Sequence, residues 1–195
     1  MSQIGWTPNF FAAAETRAFD ESGNYSPPME GLPGVYILGN YYSNFKFPEL
    51  NGPKIQHNAY GFYAMGQQML WRSSTDPFTN FSVWAGLTLS PQEDISQLPL
   101  MGFAGTIWQG VVSGRDRDQL LLTYLASDFS RNSTDSVVGH GGHRPTVEHV
   151  LEAGYAIYVS GNYTVQPDIQ YVVRPNGFSD IRNSLLIGIQ LIASY

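Results

Sequence analysis

Apolar and polar residues alternate with period two along most of this 195-residue chain, most clearly toward its end. In the stretch 163–173, Tyr163, Val165, Pro167, Ile169, Tyr171 and Val173 share one face. Thr164, Gln166, Asp168, Gln170 and Arg174 fall on the other, where only Val172 is apolar. Alternate residues of a strand point to opposite sides of its sheet, so this spacing predicts a strand with one apolar and one polar face. Aromatics near both ends of the apolar face suit the girdles of a membrane barrel. Pro167 is awkward in any central strand, because it donates no ladder hydrogen bond. The final stretch repeats the pattern: Leu185, Ile187, Ile189, Leu191, Ala193 and Tyr195 alternate with Leu186, Gly188, Gln190, Ile192 and Ser194. Its length matches the roughly nine to eleven residues of a tilted strand crossing a bilayer.

Upstream, Leu151, Ala153, Tyr155, Ile157 and Val159 alternate against Glu152, Gly154, Ala156, Tyr158 and Ser160. Phe81, Val83, Ala85, Leu87 and Leu89 alternate against Ser82, Trp84, Gly86, Thr88 and Ser90. Further strands are predicted near 33–46, 58–72, 99–110 and 117–129, with a weaker one near 3–14. The total is about eight or nine strands with no helical segment, an antiparallel all-β chain. With the C-terminus on the periplasmic side, the links near 47–57, 90–98, 130–146 and 174–183 face outward. Those near 73–78, 111–116 and 160–162 face the periplasm. The outward links are longer, as outer-membrane barrels require. The stretch from Asp20 to Pro33 breaks that rule, so residues 1–32 are an uncertain N-terminal segment of a single domain spanning 1–195.

Composition sharpens this picture. Charged residues make up 13% of the chain, and only Lys46 and Lys54 are lysines. Ordinary soluble domains carry about 25% charge. The net charge of −6 comes without a basic, aromatic-laced patch, which excludes nucleic acid as a partner. The absence of cysteine excludes disulfides, thiolate metal sites and cysteine nucleophiles. No run of 18 apolar residues is present, so no transmembrane helix is expected. The slightly negative mean hydropathy is still what a transmembrane barrel shows, since lipid-facing and lumen-facing residues alternate. The opening residues Met1 to Trp6 lack the basic and apolar regions of a signal peptide, which points to a mature or truncated chain. A soluble sandwich or lipocalin-like barrel has the same period with its apolar face inward. Scarce lysine, strands of ten or more residues and the alternating terminus ending in Tyr195 favour the membrane.

Several segments resemble the carbohydrate-selective porin OprB family. The strand Gly61-Phe62-Tyr63-Ala64-Met65-Gly66-Gln67-Gln68-Met69-Leu70-Trp71 is similar to the family's Gly-x-Tyr strand. Gly110-Val111-Val112-Ser113-Gly114-Arg115-Asp116-Arg117-Asp118 resembles its Gly-x-x-x-Gly-Arg-x-x-Asp turn. Glu152-Ala153-Gly154-Tyr155, then Gln166-Pro167-Asp168-Ile169-Gln170-Tyr171, then Arg174-Pro175-Asn176-Gly177, resemble its final region, with Asn176 where the family has glycine. The resemblance runs from about residue 33 to the end. It implies a sixteen-stranded outer-membrane channel for small sugars, of which this chain is the C-terminal half.

Gln166, Asp168, Gln170, Arg174, Glu152 and Gln190 are the expected pore-lining residues. Their amide, carboxylate and guanidinium groups suit sugar hydroxyls, though a polar lumen is also expected of any porin. Trp84 either stacks on a sugar ring or fills space. Ile189, Leu191 and Tyr195 look like the signal that barrel-assembly machinery reads in a last strand. His140, His143 and His149 lack the spacing and second partners of a metal site. Asp116 and Asp118 beside Arg115 and Arg117 read as a charged periplasmic turn. No Gly-x-Ser-x-Gly nucleophile elbow appears. The expectation is a channel, with no enzyme activity and no cofactor. Its partners are small sugars, the outer-membrane bilayer, the assembly machinery, and either a separate N-terminal half or further copies. The alternative is a non-conducting or truncated barrel fragment in the same membrane.

Overall fold

In the computed structural model the described residues are 1–10, 31–76, 78–132 and 145–193. The long alternating stretches form strands, because β-branched and aromatic side chains pack well on a pleated surface. The main ones are β3 (Leu32–Ser43), β6 (Ala59–Arg72), β7 (Asn80–Leu89), β8 (Leu100–Gln109), β9 (Gln119–Asp128), β10 (Val147–Ser160), β11 (Tyr163–Val173) and β12 (Ser184–Ala193). The weak N-terminal stretch yields two short strands, β1 (Ser2–Trp6) and β2 (Asn9–Phe10), and both pair with β3. The expected continuation to residue 14 lies outside the described residues.

One antiparallel sheet contains these strands in the order β1-β3-β6-β7-β8-β9-β10-β11-β12, so chain neighbours are sheet neighbours. A separate small hairpin, β4 (Phe47–Pro48) with β5 (Ile55–Gln56), lies inside the 44–58 link. Links alternate in length as the pattern predicts. Those at 90–99, 129–146 and 174–183 are long, and those at 73–79, 110–118 and 161–162 are shorter. The long links are tied together laterally: Leu50 N–H donates to the Asp94 carbonyl, and Ser130 hydroxyl donates to the Glu93 carbonyl.

Two irregularities bend the ladder, between Met69 and Trp71 in β6 and between Tyr158 and Ser160 in β10. Pro167 sits within β11 opposite Ile189. On the β10 side the pairing passes from Gly154↔Asp168 to Ile157↔Val165 without joining Pro167, as a residue lacking an N–H dictates. Among the described residues no ladder joins β1 to β12, and each keeps an unpaired edge. In hydrocarbon such an edge is untenable, because every unsatisfied backbone group costs several kcal/mol.

Candidate functional site

Register sorts the side chains into two faces. On the first, Tyr36, Gly66, Ala85, Ala104, Tyr124, Leu151, Tyr171 and Leu185 form one continuous cross-strand row. This face is apolar and open: Leu122, Leu151, Ile169, Ile187 and Ile189 are all exposed. Aromatics band it at both ends. Tyr60 and Phe62 pack edge to face toward the long links, and Phe81 and Trp108 do so toward the short links. Between the bands lies an open depression of about 1600 Å³, floored by small residues such as Ala64, Gly66, Ala85 and Ala104.

The opposite face carries the polar groups. Glu152 stands opposite Gln170, and Gln166 opposite Gln190. Asp168 lies between Gly154 on β10 and Gly188 on β12. The missing side chain of Gly188 lets the carboxylate lie down against the sheet on the β12 side; it is buried, and Gln170 Nε2 donates to its Oδ1 at 3.3 Å. Trp84 is on this face too. Its ring lies against Phe103 and over Gly105, where a Cβ would meet it at 2.5 Å, so it fills the space above a glycine. Glu152, Gln166, Asp168, Gln170 and Gln190 thus share one surface, as the alternation predicts.

Arg174 does not join them. β11 ends at Val173, and Arg174 takes a left-handed φ of 55°. That turn carries its guanidinium to His149, a residue of the apolar face, with Nη2 2.6 Å from Nε2. Simple alternation would have kept Arg174 beside Gln170; the positive φ breaks it. Ile189 and Leu191 lie on the apolar face of β12 and are strongly exposed, whereas Tyr195 is outside the described residues, as are His140 and His143.

The turn at 110–118 holds a cluster that the chain's pattern showed only as a run of charges. Arg115 grips Asp118 through two hydrogen bonds, Nε to Oδ2 at 2.7 Å and Nη2 to Oδ1 at 3.0 Å. Tyr158 N–H donates to the same carboxylate at 2.9 Å, tying this turn to β10. Burial pushes the Asp118 carboxyl up, but hydrogen bonds from Arg115 and Tyr158 outweigh it and hold the group below the usual carboxylate range. Arg117 lies over the rings of both Phe78 and Tyr158, bridging a third link. In the 73–79 link the Thr79 hydroxyl and the Phe78 N–H likewise hold Asp76 low. Among the described residues no group of three or more metal-ligating side chains is assembled.

Comparison with known proteins agrees with this architecture. The family model described as "Carbohydrate-selective porin, OprB family" matches residues 1–195. A curated relative, Porin B of Pseudomonas aeruginosa, is 24% identical over 193 residues, covering 83% of this chain and 41% of that protein. A solved structure titled "High pH structure of Pseudomonas putida OprB" superposes with a TM-score of 0.75 at 21% identity, over 88% of this chain and 47% of the other. The chain therefore spans less than half the length of either relative.

Proposed function

Because the chain belongs to the carbohydrate-selective porin OprB family, a family of channels and not of enzymes, we propose that it forms the C-terminal part of an outer-membrane pore that passes small sugars by diffusion. The observation that carries this reading is the separation of the two faces. A polar strip of Glu152, Gln166, Asp168, Gln170 and Gln190 backs directly onto an apolar surface banded by aromatics. In a bilayer the banded surface meets lipid and the strip meets water. Amide and carboxylate groups on the strip exchange hydrogen bonds with sugar hydroxyls as readily as with water, which suits passage without tight retention. The open edges of β1 and β12 call for completion by another β-segment, either an N-terminal half or a second copy.

The depression on the apolar face favours a second reading, a barrel with that face inward around an apolar ligand. The aromatic bands and the family weigh against it. Planar-bilayer recording separates the readings. The complete pore is expected to conduct ions and to lose current as a small sugar is added. A protein that folds in the bilayer but never conducts is instead a structural barrel element.

A further inference from the structure

Among the described residues Arg174 is a cation with no ion-pair partner. Its partners are His149 Nε2 at 2.6 Å and Thr146 Oγ1 at 3.2 Å, both neutral acceptors. A guanidinium only donates, so His149 accepts on Nε2, carries its proton on Nδ1 and gives it to the Tyr124 hydroxyl 2.7 Å away. His149 is thus a neutral support that aims the guanidinium. No described carboxylate forms an ion pair with it. Glu148 accepts from Asn176 N–H at 2.7 Å, and neither Asp128 nor Asp180 lies within ion-pair distance of a cation among the described residues. Of the five N–H donors of Arg174, two are used in contacts among the described residues, and three remain for a ligand.

The position is what gives this cation a ligand. Arg174 stands at the long-link rim and reaches onto the apolar face, immediately beyond the cross-strand row of Tyr124, Leu151, Tyr171 and Leu185. Those four residues line the near end of the apolar depression. A charged head at Arg174 and an acyl chain along that depression would both be satisfied by one amphiphile. The left-handed turn at Arg174 and the Nη1 bond to Thr146 fix the guanidinium there in advance. We propose that Arg174, held by His149 and Thr146, binds the phosphate of an anionic lipid whose acyl chain lies in the depression bounded by Tyr124, Leu151, Tyr171 and Leu185. Phosphate suits guanidinium because two parallel N–H···O bonds match its oxygens, and these charge-assisted bonds are the stronger kind. The lipid-facing orientation of this surface comes from the reading of the previous subsection.

The test is native mass spectrometry of the protein in neutral-detergent micelles, with phosphatidylglycerol, phosphatidylcholine of the same chains, or inorganic phosphate. Wild type is expected to retain phosphatidylglycerol over phosphatidylcholine. R174Q should weaken that retention roughly tenfold, the loss of about one charge-assisted hydrogen bond. R72Q, at the opposite end of the sheet, should leave it unchanged. Retention by wild type should also fall as salt rises from about 0.05 to about 0.5 M, because the contact is ionic and partly exposed. Equal retention by R174Q, equal retention of phosphatidylcholine, or salt-independent retention by wild type would each overturn the assignment, and the last holds even if R174Q does not fold. Displacement of the lipid by millimolar inorganic phosphate alone would make the site one for free phosphate and overturn the lipid. Oxygen-accessibility labelling at Ile169 reports the facing separately. Lost retention with Ile169 still in lipid refutes only this site, whereas Ile169 in water refutes the facing itself.

Discussion

Asp168 of β11 stands directly opposite Gly188 of β12, so closely that a methyl group on Gly188 would come within 2.6 Å of a carboxylate oxygen. The bare backbone of Gly188 is therefore the floor on which the best-buried acid of the polar strip rests. G188A should push the carboxylate off the sheet and destabilise the fold by about 1–3 kcal/mol, the usual range for overpacking. Urea unfolding in lipid vesicles measures this. The same substitution in a D168A background should cost much less, because the clash has gone. Equal costs in both backgrounds would mean that the glycine is required for another reason.

The Asp118 clasp should make stability depend on acid. The folded carboxyl titrates below its ordinary value of 3.8. A depressed carboxyl contributes stability that is fully present above the unfolded pKa and is lost as pH falls through the folded one. Wild type should hold its stability down to about pH 4 and then lose it as Asp118 protonates. D118N should be less stable at neutral pH and flatter across that acid range. Parallel acid-unfolding curves for the two proteins would remove Asp118 from the account.

Facing is measurable residue by residue. Spin labels at Ile169 and Ile189 should relax with oxygen dissolved in the bilayer, and a label at Gln170 should respond to a water-soluble paramagnet. The reverse pattern would establish a barrel with its apolar face inward around the depression.

The alternating apolar end of β12 should matter for assembly more than for synthesis. Replacing Tyr195 by Asp in the parent protein should lower the amount inserted in the outer membrane while total protein stays constant. Ile189 and Leu191, both strongly exposed on the apolar face, should show the same direction of effect when made polar. Undiminished insertion of all three variants would remove this assembly role from them.

Removing charge from the polar strip should alter what passes. E152Q and D168N together should shift the ion selectivity of the complete pore toward anions, read as a shifted reversal potential across a salt gradient. An unchanged potential would place both carboxylates away from the ion path.

Period-two alternation determined most of this architecture. It placed the eight long strands to within a few residues, gave the long and short links their ends, and put Glu152, Gln166, Asp168, Gln170 and Gln190 on one surface. It succeeds because each strand buries or exposes whole faces, so facing is written locally in the order of residues. Features that depend on a contact between distant residues were not legible in that order. The aspartate gripped by Arg115 and by the backbone of Tyr158 looked like one charge in a turn, since its second partner arrives from β10. Arg174 continued the polar alternation in the sequence, yet a single positive φ sends it to His149 on the other face. Gly188 is only one member of the alternating face of the last strand in the sequence, and pairing puts Asp168 against it. Alternation is a property of one strand, whereas a clasp, a crossover of faces and a close approach exist only once strands are in register.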